Sequence, residues 1–195
     1  MSGIVGSYFN TRGSGVVAKL GTDGQVFTST GAGLSQGFEA AAGGGKIGQV
    51  LSAATTDTAT YGTQTYADIT GMTIAITPTA TSSKILIMSD ISIGITTGYG
   101  AMIRMMRDST AIHVGVAAGS RQASTKASIN YHSPMMQSYG SIYLDSPSTT
   151  SEITYKLQWL SETSGPIYRG RSATDNDVAY VARTADSITV MEVLA

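Results

Sequence analysis

Residues 72 to 95 read MTIAITPTATSSKILIMSDISIGI. In the first part Met72, Ile74 and Ile76 alternate with Thr73, Ala75 and Thr77, and a two-residue period puts the large side chains on one face of a strand. Pro78 has no N–H to give to a ladder, and Thr79 to Ser83 are small, polar and turn-prone, so the strand ends there. Ile85, Ile87, Ile91, Ile93 and Ile95 then share one parity. β-Branched side chains suit a pleated, half-buried surface, so this reads as a second strand with an isoleucine-lined core face, and the whole stretch as a β-hairpin. The opposite parity carries Leu86 and Met88 before it turns to Asp90, Ser92 and Gly94. The first half of the second strand is therefore apolar on both faces, and its outer side needs a cover.

Further strands follow from the same pattern. Ile47 to Ala53 opens the series, and Tyr66 to Thr70 leads into the quoted stretch after the polar run TTDTATYGTQT. Met102 to Arg107 and Ala111 to Val116 suit a hairpin turning at Arg107-Asp108-Ser109. Ser128 to His132, Met135 to Asp145 and Glu152 to Ser161 continue it, and Ser187 to Leu194 closes it. In the strand from Glu152, Ile153, Tyr155, Leu157 and Trp159 alternate with Thr154, Lys156 and Gln158, so Trp159 belongs with the core residues. No 3.6-residue pattern of helical length interrupts the series, and parallel sheets would need crossover helices. The expected fold is all-β, an antiparallel β-sandwich or jelly roll.

A chain of 195 residues holds one ordinary domain and an extension, and a core of ~150 residues buries roughly 70% of the surface its unfolded chain exposes. Charged residues make up 13%, against roughly 25% in ordinary soluble chains. With a formal net charge of −1 and no Lys/Arg cluster, the electrostatic footprint of a nucleic-acid binder is missing. There is no cysteine, hence no disulfide and no thiolate metal site. No apolar run is long enough for a membrane-spanning helix, and MSGIVGSYFNTRGSG does not have the layout of a cleavable signal. No membrane insertion is expected.

The first 48 residues hold 13 of the 23 glycines. Glycine costs backbone entropy and supplies no side chain to a core, so residues 1–45 read as an extended attachment arm and residues 46–195 as the β domain, with the hinge-like AAAGGG of residues 40–45 between them. The arm's sparse apolar residues are Ile4, Val5, Tyr8, Phe9, Val16, Val17, Leu20, Val26, Phe27, Leu34 and Phe38. Their spacing suits small clusters, each docking in a separate pocket on another surface.

Within the arm, Leu20-Gly21-Thr22-Asp23-Gly24-Gln25-Val26-Phe27-Thr28-Ser29 followed by Thr30-Gly31-Ala32-Gly33 resembles a phrase common in bacteriophage fibre and other virion proteins, where it precedes a β-rich module. The opening SGIVGSYFNTRGSGVV is similar to the N-termini of small virion-associated proteins of marine tailed phages. Ile76-Thr77-Pro78 with Ser82-Ser83-Lys84-Ile85-Leu86 resembles a hairpin of the same proteins. The resemblance implies a virion structural protein of the fibre or capsid-decoration type. It would be assembled in the host cytoplasm, attached by its arm to capsid or tail proteins, and trimeric as fibre modules usually are.

Candidate chemistry is sparse. Gly33-Leu34-Ser35-Gln36-Gly37 matches the G-x-S-x-G nucleophile elbow but lacks the strand before and helix after it that expose the serine. Gly13 to Ala18 fits a loose dinucleotide fingerprint without a βαβ unit around it. His113 and His132 are the only imidazoles; they could meet as metal ligands or be ordinary surface residues. Asp175-Asn176-Asp177 offers oxygen ligands without EF-hand spacing, and a solvated turn explains it as well. Arg169 and Arg171, flanking Gly170 beside Tyr168, could grip an anionic sugar or a partner carboxylate, or lie as surface arginines at a strand end. No catalytic activity, cofactor or metal is expected.

Met102, Met105, Met106, Met135 and Met136 fall in or beside expected strands, twice as adjacent pairs. Adjacent strand residues point to opposite faces, and thioethers adapt to irregular contacts. Core filling is one reading. The other makes Leu86, Met88, Met102, Met106 and Met136 a subunit interface, and hence the chain a homo-oligomer. A separate functional class is a carbohydrate-binding β-sandwich that recognises a host surface glycan by stacking sugars on Trp159 and some of its ten tyrosines, against which stands the core parity of Trp159.

Overall fold

In the computed structural model the alternation of residues 67–76 and 84–95 appears as strands whose inward residues are wholly buried. The structure describes residues 8–10, 16–19, 25–28, 37–40, 46–129, 132 and 135–195. Two compact units are present, Met1–Lys46 and Ile47–Ala195. In the first, β1 (Tyr8–Asn10) pairs antiparallel with β2 (Val16–Lys19), and β3 (Gln25–Thr28) with β4 (Gly37–Ala40). Pairing satisfies backbone groups of these four strands. Phe27 stands opposite Phe38. Ile4, Val5, Leu20, Leu34 and Ser35 lie outside the described residues.

The second unit carries β5 (Ile47–Thr55), β6 (Ala59–Tyr61), β7 (Ala67–Ile76), β8 (Lys84–Asp90), β9 (Ser92–Ile95), β10 (Gly100–Arg107), β11 (Thr110–Ile112), β12 (Lys126–Ile129), β13 (Met136–Ser138), β14 (Ser141–Asp145), β15 (Ile153–Ser161), β16 (Ile167–Arg169) and β17 (Asp186–Val193). Every ladder is antiparallel. One sheet has the order β11-β10-β15-β7 with β12 beside β10, a second β14-β8-β17-β5, and a third β13-β9-β16-β6. The second and third repeat one order of chain segments. The isoleucine run supplies β8 to one and β9 to the other, stepping across at Ile91 without losing parity. One core joins all three: Ile69, Met72, Ile74 and Ile76 from β7, Ile85 to Ile95 from β8 and β9, and Tyr155, Leu157 and Trp159 from β15. The fold is an all-β, antiparallel sandwich.

The hairpin expected over residues 72–95 is not formed. β7 pairs with β15, whereas β8 pairs with β14 and β17, so Pro78 to Ser83 carry the chain from one sheet to another. Alternation fixes which side chains face inward but is silent on which strand lies alongside. The crossing is held by Glu192 of β17, a fully buried residue. Its carboxylate accepts from the Thr79 backbone N–H at 2.6 Å, the Thr79 hydroxyl at 2.7 Å and the Gln49 amide at 2.9 Å, while that amide also donates to the Thr77 carbonyl at 2.6 Å. A second polar bolt joins sheets through Asp145, at the end of β14. Its two oxygens accept from Arg107 Nη1 at 3.0 and 2.9 Å, and Oδ2 also from the Tyr155 hydroxyl at 2.7 Å.

The expected hairpin at Arg107-Asp108-Ser109 is present, with β10 and β11 paired from Met105↔Ile112 to Arg107↔Thr110. The three-residue strands β6 and β16 have no visible sequence pattern. β16 and β17 occupy successive positions beside β9 and β8, and the chain between them leaves the sheet and returns. Arg171 bridges Arg183, and the Thr184 N–H donates to the Gly170 carbonyl at 3.1 Å. Gly94 permits this departure, because a Cβ there would run into the Arg171 carbonyl.

Candidate functional site: an uncharged sheet face

The outward side of the β14-β8-β17-β5 sheet is assembled by register. Leu144 stands opposite Leu86, Leu86 opposite Met191, and Met191 opposite Val50. Directly opposed residues share a face, so these four make one row across all four strands. In the next row Ile142 opposes Met88, Met88 opposes Thr189, and Thr189 opposes Ser52, with a 2.9 Å hydroxyl pair between Thr189 and Ser52. Ile142 is 68% exposed, Val50 52% and Leu144 45%; Leu86, Met88 and Met191 are half-buried by their neighbours. The two rows hold no charge. On β8 the same face begins at Lys84 and ends at Asp90, both exposed, and Asp90 accepts from the Ser138 hydroxyl at 2.6 Å.

Leu86 and Met88 could be singled out from sequence because one strand shows both its faces. Ile142, Leu144, Met191 and Val50 could not. Their joining depends on a register between segments far apart in the chain, although the parity shared by Ile142 and Leu144 within Met135 to Asp145 was a usable signal.

The methionines divide. Met105 is fully buried in the core and Met106 only 4% exposed, so the pair does not split between core and solvent. Met106 lies opposite Ala111 and Lys156 and is covered within the chain, which removes it from the expected interface. Met102 is half-buried, between Ala127 and Leu160 in register. It lines a cleft of about 650 Å³ with Gln64, Arg121, Gln122, Leu160 and Glu162. Met136 is half-buried opposite Gly94.

The polar candidates turn to groups within the chain, although Nε and Nη1 of Arg169 and one oxygen of Asp186 are buried without a hydrogen bond. Arg169 is 1% exposed and thus not a surface group able to grip a ligand. Its Nη2 donates to the Asp57 carbonyl at 2.8 Å, and its Nε lies 3.9 Å from Asp186. The two arginines share one parity in sequence, but β16 ends at Arg169 and the chain turns at Gly170, whose φ is +71°, so only Arg169 is carried inward. Arg171 instead lies over the Tyr168 ring at 4.0 Å. Asp175 takes Arg183 on both oxygens, at 2.8 and 3.3 Å, so the Asp175-Asn176-Asp177 turn is knit by a guanidinium. His113 stacks on Tyr143 with ring centroids 4.7 Å apart. Among the described residues no three His, Asp or Glu side chains gather as a metal site. Trp159 is 3% exposed and stacks on Tyr61 at 5.4 Å, in the core as its parity predicts.

Three buried groups have shifted acidities. Burial pushes the Glu192 carboxyl up, but the bonds from Thr79 and Gln49 outweigh it and hold it at about 2. Burial raises Asp186, only partly offset by the Ser92 N–H and Arg169. Burial and the neighbouring Asp145 carboxylate raise Tyr155, which remains a hydroxyl donor throughout the physiological range. None of the three faces a ligand-sized opening; all act between strands.

No protein-family model matches the chain, and a search of curated proteins found no similar sequence. Among solved structures it is similar to a chain in the structure of infectious bursal disease virus Gt strain, with 9% sequence identity and a TM-score of 0.42 over 86% of this chain. The match spans 42% of that chain, so this protein corresponds to less than half of its length.

Proposed function

We propose that this chain is a structural component of a bacteriophage virion, of the fibre or capsid-decoration kind, that attaches through residues 1–45 and associates with its own copies through the β domain. The observation that supports assembly is the uncharged face of the β14-β8-β17-β5 sheet. A patch of this kind marks a contact, whereas Arg169, Arg171 and Asp175 engage groups of their own chain. The virion setting rests on the arm's likeness to phage structural proteins, which also implies a trimer. The reading is of an assembly component without a catalytic role, localised in the virion.

The test is incorporation into particles. A chain lacking residues 1–45 should keep the circular dichroism of a folded β domain and fail to enter virions. Normal incorporation would move attachment into the β domain, and loss of the fold would make the first unit part of the core.

A second reading, host-glycan binding, is favoured by the cleft around Met102, where the Glu162 carboxylate, the Arg121 guanidinium and the Gln64 and Gln122 amides surround an apolar floor. Mixed polar groups over an apolar surface suit a saccharide. A glycan-array signal abolished by Arg121→Ala would establish it as the chain's binding role.

A further inference from the structure

We infer that the uncharged sheet face is the contact between two copies of this chain related by a two-fold axis, with the β8 strands of the two copies crossing antiparallel. The inference rests on the assembly reading above, names its partner, and sets a two-fold pair in place of the trimer that the arm's likeness to phage proteins implies.

The four strands span about 20 Å at ~4.8 Å spacing, and β8 from Lys84 to Asp90 runs about 20 Å at ~3.3 Å per residue. The face, its charged ends Lys84 and Asp90 included, is therefore on the order of 400 Å², within the range of the largest and often functional patch on a monomer. The chemistry of a partner is set by what the face lacks between those ends. With no charge and only the hydroxyls of Ser52 and Thr189 among Ile142, Leu144, Leu86, Met88, Met191 and Val50, it needs an equally dry surface of similar flatness. The outer side of the β10-β15-β7 sheet carries Arg104 and the Lys156–Asp68 ion pair instead, so a head-to-tail ring built from the two faces would strip water from those charges against a face with only those hydroxyls to replace it. The same face on a second copy is matched in kind, and a patch meeting itself is what two-fold symmetry produces.

The rim fixes the direction. Along the outward side of β8 the order is Lys84, Leu86, Met88, Asp90, a cation at one end and an anion at the other. An axis lying in the plane of the contact and perpendicular to β8, passing between Leu86 and Met88, reverses the strand. It sets Lys84 of each copy against Asp90 of the other, so two opposite-charge pairs close the ends of the apolar rows. Parallel β8 strands would instead set Lys84 against Lys84 and Asp90 against Asp90, which is disfavoured.

The experiment is sedimentation equilibrium of the full chain and three variants. The wild-type should report twice the 20.2 kDa chain mass at micromolar concentration. Lys84→Glu and Asp90→Lys should each weaken association about tenfold, since each converts two symmetry-related attractions into repulsions. The double variant, with the charges exchanged, should recover it. Both positions are exposed, so folding is not at issue. A monomer would overturn the inference, as would a mass of three chains, or single variants whose loss the double variant does not restore. Particle incorporation is a separate readout: a chain that dimerises as described but never enters a virion would sink the virion reading and leave this contact standing.

Discussion

The two outward faces of the sandwich obey the same period and have opposite contents. On the β10-β15-β7 side the Arg104 guanidinium lies 3.8 Å over the Tyr66 ring and donates to Gln158 at 2.8 Å, while Lys156 reaches Asp68 at 2.8 Å. Those charges find partners on their own sheet, and the apolar Met106 and Leu160 beneath them are covered. On the β14-β8-β17-β5 side the rows from Leu144 to Val50 carry nothing polar enough to hold water in place. Burial of the inner faces explains the fold of both sheets. Only the outer faces set the two sheets apart.

The strongest way to break that comparison is to make the dry face wet. Ile142→Glu with Leu144→Glu places two charges on an edge strand where both residues are already well exposed, so thermal stability should change little. Two copies would then have to bury four carboxylates without partners, and self-association should fall at least about a hundredfold. Thr73→Glu, on the outward side of β7 opposite Lys156, is the matched change on the wet face and should leave association unaltered. Equal losses from both variants would show that the faces do not differ in role.

A second way acts on the crossing that separates the sheets carrying the two faces. Glu192→Gln removes the charge from the carboxylate that holds Thr79 and Gln49, and hydrogen bonds to a charged group contribute about 1.5–3 kcal/mol each to stability. We expect a loss of about 2–3 kcal/mol in urea unfolding. Because the folded carboxyl sits at about 2, below its ordinary 4.5, the wild-type keeps this stabilisation above pH 4.5 and loses it as the pH falls towards 2. The variant should lack that acid limb. Asp186, at the other end of β17, is shifted upward by burial and works in the opposite sense, costing stability as the pH rises through its folded value. A wild-type acid limb no steeper than that of the Glu192→Gln variant would refute the Glu192 assignment.

How much of this was legible follows from the same residues. Ile74, Ile85 and Trp159 declared their inward side, because alternation is local and needs no partner. The hairpin failed because Pro78 to Ser83 would serve equally as a turn within a sheet or a link between sheets, and the decision lies with Glu192 more than a hundred residues away. Leu86 and Met88 were visible as a two-faced strand, yet the rows they belong to required the registers of β14, β17 and β5. Met106 shows that a side chain's parity leaves open what the rest of the chain lays over it, and Arg169 that a turn such as the one at Gly170 separates two residues which a continued strand would keep on one face.

The smallest effect should come from the wet face itself. Lys156 and Asp68 are joined at 2.8 Å, but the Asp68 side chain remains 50% exposed, so water and salt screen the pair, and exposed ion pairs contribute about 0.2–1 kcal/mol. The hydrogen bond from Lys156 holds the Asp68 carboxyl below its ordinary range, against some desolvation and with help from Gln158; the stabilisation is therefore present above the ordinary value and lost as the pH falls through the folded one. A double-mutant cycle with Lys156→Ala and Asp68→Asn should give a coupling of under about 1 kcal/mol that shrinks further in molar salt, with no change in sedimentation. A coupling well above that, insensitive to salt, would mean that the pair is desolvated in the assembled protein. The wet face would then be a contact as well, and the contrast between the two faces would be one of contact chemistry.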